Sequence, residues 1–416
     1  MNMINTFFKE NRDELYESLH DGTVLLLFAG REIRQSADAL YSFYADRSFV
    51  YMTGIEQKES ILLAEKLDGK THEMLFTLEP DAFKERWTGK RNKPEEIYEK
   101  GLIAETKYLP GFRAYFHKLM QSGKFDTVAL DLYRCEPGDI DRESHIFVKE
   151  VMPDYPNIEI RDVFPQIRNQ RTIKKPCEIE AMRKSAEITG AGIVAMMKAS
   201  KPGMYEYEYK AEFDRELTRR GCLEPAFHSI ISAGQNNFCI HYDSYMGKAE
   251  DGDMVLNDVG AKWDFEGSDV SRGWPCSGKF TERQRQLYTC AYNTSEYMFS
   301  IVKPGMEMAS VDKIVKQYCF EELKKIGLMD KFENIGKLMW HNGAHHVGFD
   351  THDLTDMERP VTAGEVFCID VGIYCEEWGI GFRLEDNLLV TEDGCENLTR
   401  AIPRTIEEIE AVMRKE

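Results

Sequence analysis

Two aspartates 112 residues apart, Asp258 and Asp370, stand in the same local setting. Gly252-Asp253-Met254-Val255-Leu256-Asn257-Asp258-Val259-Gly260 and Gly364-Glu365-Val366-Phe367-Cys368-Ile369-Asp370-Val371-Gly372 each run from a glycine and an acidic residue through an apolar stretch to Asp-Val-Gly. A second carboxylate follows each, Asp269 after the first and Glu385 after the second. Between them lies a histidine cluster of His341, His345, His346 and His352. Carboxylates crowded together repel one another and are costly to bury unless cations sit among them. Hard oxygen donors with one imidazole suit Mn2+, Co2+ or Zn2+ better than Ca2+. Two such ions about 3.5–4 Å apart activate water for attack on a carbonyl carbon. The pattern therefore reads as a two-metal hydrolytic site.

Such a site needs elements that bring the acidic strand ends together. Asp258 and Asp269 are 11 residues apart, with Gly260 and Gly267 between them, which suits two adjacent antiparallel strands joined by a turn. Asp370 and Glu385 are 15 apart across Gly372, Gly379 and Gly381, and the same argument applies. The duplication extends upstream. One helix starts at Pro176 and ends at Lys201-Pro202-Gly203-Met204, and another runs from about Thr281 to Lys303-Pro304-Gly305-Met306. Each turn precedes an amphipathic helix, over 206–220 and 311–326. The repeating unit is helix, turn, helix, strands. Two such units packed about a pseudo-two-fold axis would join their acidic ends.

A boundary is expected near residue 170, before the proline-started helix and within the polar, basic stretch 168–175. This gives domains 1–170 and 171–416. The first reads as α/β, with strands over 23–29, 48–53, 61–67, 72–78 and 128–132 and a helix near 111–121. Asp68-Gly69 marks a hairpin. His20, His72, His117 and His145 are isolated and read as structural or surface residues.

Composition narrows the partners. A net charge of -19 opposes nucleic acid and an anionic membrane surface. The ten cysteines are scattered with no CxxC pair, as expected of free thiols in a reducing cytoplasm. Residues 1–18 are amphipathic rather than a signal peptide. No run approaches the roughly 20 apolar residues that cross a bilayer.

With these residues in view, the chain resembles the pita-bread metallopeptidases, and most of all the Xaa-Pro aminopeptidases (aminopeptidase P), with prolidase and creatinase as cousins. In the first domain the resemblance rests on residues 37–54 and Trp87-Thr88-Gly89-Lys90-Arg91. In the second it rests on Ile240-His241-Tyr242, Gly267-Ser268-Asp269-Val270-Ser271-Arg272, His341-Asn342-Gly343-Ala344-His345, Gly348-Phe349-Asp350-Thr351-His352-Asp353 and Gly381-Phe382-Arg383-Leu384-Glu385-Asp386. The stretches 392–399 and 405–413 also look like family members. The resemblance implies a creatinase-like α/β N-terminal domain and a pita-bread catalytic domain. It implies two divalent ions, Mn2+ first and Co2+ or Zn2+ as alternatives. Asp258 would bind one ion, His345 and Asp370 the other, and Asp269 and Glu385 both. His241, His341 and His352 match positions that contact substrate or stabilise the tetrahedral intermediate, with Asp370 assisting proton transfer. Arg383 matches an arginine beside the bridging glutamate. Trp87 matches a tryptophan that can reach a neighbouring active site in the family's tetramers.

The implied activity is release of the first residue from a peptide with a free N-terminus and proline in second position, by a cytoplasmic homodimer or homotetramer. A prolidase-like dipeptidase and a weakened or non-enzymatic peptide-binding protein are the alternatives. A metal-free creatinase-like hydrolase fits less well, because that branch lacks the ligand set. One departure motivates the second alternative. Asp370-Val371-Gly372 stands where the family usually has Glu-Pro-Gly, so the carboxylate is one methylene shorter. Asn257 also replaces an apolar residue, and His346 follows His345.

Overall fold

The apolar run Thr23–Phe28 is buried almost throughout and lies inside a six-stranded sheet. In this computed structural model, which describes residues 4–414, it pairs antiparallel with Ile61–Leu67 and parallel with Thr127–Leu130. Lys70–Thr77 and Thr106–Tyr108 extend the sheet on one side and Glu159–Asp162 on the other. The helix Phe112–Gln121 buries Phe112, Phe116, Leu119 and Met120 in the core that also holds Val24, Leu26 and Leu63. Asp68 and Gly69 have φ of 51° and 69°, and Leu67 faces Lys70. This is the two-residue hairpin turn that demands positive φ at both central positions. These elements belong to a compact unit spanning Met1–Gln170. Of the amphipathic N-terminal stretch, residues 1–3 lie outside the described residues, and Asn5–Glu17 is a helix.

One expected strand is a helix. Arg47–Thr53 is helical, started by Asp46, whose side chain accepts the Phe49 N–H at 3.2 Å. Gly54 ends it in the left-handed conformation, φ 67°. Residues 48–53 are all buried, so no polar stripe betrays the helical period. The four isolated histidines take structural partners: Asp126 for His20, Glu105 for His72, Tyr155 for His117 and the Leu132 carbonyl for His145.

The second unit, Arg171–Glu416, shows the repeat in its hydrogen bonds. Helices Pro176–Ala199 and Glu206–Arg219 form one pair, and Glu282–Ile301 and Met308–Lys325 the other. In the two intervening turns Gly203 and Gly305 have φ of 89° and 90°, which glycine adopts without strain. The Gly203 N–H donates to Ala249, whose N–H returns a bond to Met204. The Gly305 N–H donates to Val361, whose N–H returns a bond to Met306. Each helix pair is thus tied in the same way to the chain that enters its sheet.

Those sheets differ in size. One has the order Val270–Pro275, Met254–Val259, Ile230–Ala233; the other runs Ala344–His346, Val366–Cys375, Ile380–Val390, Cys395–Asn397, antiparallel throughout. Val270–Pro275 and Met254–Val259 pack against Ile380–Val390. One apolar core, including Trp274, Phe213, Leu287, Val315, Ile369 and Phe382, lies under both sheets and their helices. The glycines of the two Asp-Val-Gly stretches mark close approaches. A Cβ on Gly260 would sit 1.8 Å from the Ser268 carbonyl oxygen, and one on Gly372 would sit 2.2 Å from His341 Nε2.

Candidate metal centre

Strand register decides which carboxylates meet. Asp370 lies directly opposite Glu385, whereas Asp258 lies opposite Ser271. Asp269, just before the strand Val270–Pro275, is two residues from Ser271 and comes in diagonally. The Ser271 hydroxyl donates to Glu385 Oε2 at 2.8 Å, linking the two halves. His345 enters from the edge strand Ala344–His346, opposite Cys368. Three sets of donor atoms converge within 4.8 Å: Asp258, Asp269 and Glu385; Asp269, His345 and His352; and His345, Cys368 and Glu385.

Asp370 belongs to none of these sets among the described residues. Its Oδ2 lies 3.2 Å from His341 Nδ1 instead. His346 is also apart: it points to the other face of its strand and meets Glu365 Oε2 at 3.0 Å. The ring of His352 stands 4.2 Å from that of His345. His241 is exposed and close enough to act electrostatically on His352. Trp87 sits on the short helix Glu85–Thr88 in the first unit and is 80% exposed.

Three supporting residues escaped the sequence reading. The Tyr374 hydroxyl is 3.0 Å from His341 Nε2 and accepts from Arg383 Nη1 at 2.9 Å. Arg383 Nη2 donates to Asp258 Oδ2 at 2.9 Å, so a polar chain runs from His341 to Asp258. Tyr374 is four residues after Asp370 on one strand, and period-two alternation would have placed both on one face. Asn387, two residues past Glu385, hydrogen-bonds the Asp269 backbone. Cys368, two residues before Asp370, shares its face on the same reasoning.

The electrostatics are those of excess negative charge among largely buried carboxylates. Burial, then the charge of Glu385, pushes Asp269 and Asp370 well above the usual carboxylate range. Burial also opposes ionisation of Glu385, but His345, Cys368 and Ser271 outweigh it and hold that group down at about 2. His345 is raised because Glu385 overcomes its burial. His341 and His352 are lowered, chiefly by burial. Arg383 is raised despite burial by Asp258, Tyr374 and Asp370. One oxygen each of Asp258, Asp269 and Asp370 is buried and accepts no hydrogen bond, and Glu385 Oε1 faces only His345 Nε2 at 3.4 Å. Buried unpaired carboxylate oxygens are costly. Oxygen donors converging with one imidazole are a donor set that fits divalent cations.

Comparisons with known proteins bear on the family. Residues 180–392 match Metallopeptidase family M24, and residues 8–129 match the aminopeptidase P N-terminal domain. The Xaa-Pro aminopeptidase of Escherichia coli strain K12 is 29% identical over 438 residues, covering 98% of this chain and 97% of that protein. Among solved structures, a candidate aminopeptidase P from Bacillus anthracis superposes with a TM-score of 0.96 at 35% identity, covering 99% of this chain and 98% of that one. Zn-substituted E. coli aminopeptidase P in complex with product gives 0.90 at 27% identity, covering 100% of both chains. Convergence of the duplicated half-sites thus coincides with likeness over the whole length, and the chain belongs to metallopeptidase family M24, in its aminopeptidase P branch with the pita-bread fold.

Proposed function

We propose that this protein removes the N-terminal residue from peptides with proline in second position, using two divalent metal ions, Mn2+ first among them. The observation that carries the proposal is the convergence of Asp258, Asp269, Glu385 and His345 from both halves of the repeat. The names of the full-length relatives support the Xaa-Pro preference. Residues 1–170 serve as the N-terminal domain and 171–416 as the catalytic domain. Asp258 would hold one ion and His345 and Asp370 the other, with Asp269 and Glu385 available to both. When bound, the ions would supply Lewis acidity and lower the pKa of water.

The chain's own residues do the rest. The acidic floor attracts the free amine of the peptide. Imidazole N–H groups of His241, His341 and His352 donate toward the oxygen that gains charge as the carbonyl is attacked. Asp370, beside His341, takes up a proton and passes it to the leaving proline nitrogen. Arg383 compensates Asp258, and Tyr374 keeps Arg383 and His341 in register. Trp87, exposed on the first unit, reaches a neighbouring subunit's site in a homodimer or homotetramer. A cytoplasmic setting suits ten cysteines that are all free. Among the described residues, no helix is long and apolar enough to cross a membrane.

Metal analysis of the purified protein, combined with Mn2+-supported hydrolysis of Xaa-Pro dipeptides and longer Xaa-Pro-Xaa peptides, tests the proposal. Two ions per chain and cleavage of the longer peptides are expected. Cleavage of dipeptides alone would make the protein a prolidase. Fewer than two ions with no cleavage would leave a peptide-binding protein.

A further inference from the structure

We propose that Cys368 is a sulfur ligand at the metal position served by His345, and that this chain's centre is therefore softer than an all-oxygen site with one imidazole. The inference rests on the metallopeptidase reading above and adds a residue to it.

Four observations carry it. Cys368 is two residues before Asp370 on Val366–Cys375, so both side chains leave the same face of the strand. Its register partner on the neighbouring strand is His345. Its Sγ, an imidazole nitrogen of His345 and a carboxylate oxygen of Glu385 lie within 4.8 Å of one another. Glu385 is only 1% exposed; its Oε2 accepts from Ser271, and its Oε1 lies 3.4 Å from His345 Nε2. A buried carboxylate and an imidazole therefore share this space with the sulfur. Buried cysteines usually behave as small apolar residues. Cys222, Cys276, Cys290, Cys319 and Cys375 are buried too, yet among the described residues only Cys368 shares a donor set of this kind.

Asp370 explains why a further donor is useful. It is one methylene shorter than glutamate, and it stands beside His341 rather than in the set around His345. Metal–sulfur bonds of about 2.3 Å are longer than metal–oxygen bonds of about 2.0–2.2 Å, so a thiolate spans a slightly wider gap. On ligation the S–H bond breaks, the sulfur–metal bond forms, and one proton passes to solvent. At this one position a thiolate shifts the preference from Mn2+ toward the alternatives Zn2+ and Co2+.

The test is Co2+ titration of the full-length protein, followed by absorption. Visible d–d bands and a near-ultraviolet sulfur-to-cobalt charge-transfer band are expected in the unaltered chain. Cys368→Ser should keep the d–d bands, lose the charge-transfer band, and shift the Zn2+/Mn2+ preference toward Mn2+ by about tenfold or more. If the variant fails to fold, the spectrum of the unaltered protein decides alone. Cobalt d–d bands without charge transfer overturn the assignment of Cys368 while leaving the metal centre intact. A charge-transfer band that persists in Cys368→Ser overturns it as well. Absence of all cobalt bands overturns both the assignment and the metal centre beneath it.

Discussion

The side-chain amide of Asn387 grips the backbone of Asp269 at both of its polar groups. Its Nδ2 donates to the Asp269 carbonyl at 2.7 Å, and its Oδ1 accepts the Asp269 N–H at 3.1 Å. Asn387 is two residues from Glu385 on the strand Ile380–Val390, so one strand both contributes a carboxylate and fixes the backbone of another. Asn387→Leu keeps the branched heavy-atom shape, at a somewhat larger volume, and removes both bonds. Leaving buried backbone groups unpaired should cost about 1–3 kcal/mol of stability, and divalent-metal affinity should fall about 10–100-fold. Denaturant unfolding and calorimetric metal titration measure the two effects. Unchanged metal affinity would show that Asp269 is held by its strand alone.

Asp370→Glu tests the shortened arm. The added methylene should carry a carboxylate past His341 toward the set around His345, raising affinity for the more weakly held ion by about tenfold. Asp370→Asn should instead lower kcat on an Xaa-Pro peptide by about 10² or more, because the proton carrier is gone. Equal rates for the aspartate and asparagine forms would remove Asp370 from the proton path.

Tyr374→Phe removes the hydroxyl between His341 and Arg383 and leaves the ring stacked on Trp340 at 4.6 Å. A hydrogen bond to a charged partner is worth about 1.5–3 kcal/mol, so kcat/KM should drop about 10- to 100-fold with little change in the folded stability of the metal-loaded enzyme. A loss of melting temperature in step with the loss of activity would instead mark Tyr374 as a packing residue.

Stability should depend on pH in opposite ways with and without metal. Asp269 and Asp370 ionise near 3.9 when unfolded but are pushed well above that when folded. Their stabilising contribution is complete below the unfolded value and is lost as pH rises through the folded values. Glu178, pushed up to about 7 by burial, extends the loss toward neutrality. Chelator-treated protein should therefore melt at falling temperature as pH climbs. Mn2+ binds the ionised carboxylates, so the rise in Tm that it produces should grow between about pH 5 and 8. A metal-induced rise that is flat with pH would disprove this account.

Much of the fold was legible because its signals are local. The two glycine turns after Pro202 and Pro304 need positive φ, and each glycine sits where its half of the repeat requires it. Asp68-Gly69 specified a hairpin for the same reason. The exception, Arg47–Thr53, is buried at every position from 48 to 53, and a helix without a polar face has no period to read. Its signals, Asp46 before it and Gly54 after it, were present but short.

By itself, the sequence determined the duplicated unit, the types of the acidic and imidazole groups, and hence the chemistry open to them. Strand alternation even places Tyr374, Cys368 and Asp370 on one face. Only the tertiary structure decided which of these groups meet. Asp370 faces Glu385 yet leans to His341, Asp258 is held by Arg383, and His346 turns away from His345. Asn387 carries no sequence signal at all, since its partner Asp269 is 118 residues away. The physical reason is that such meetings depend on the register and packing of two sheets against each other. A shift of one residue in either would send the same side chains to the opposite face.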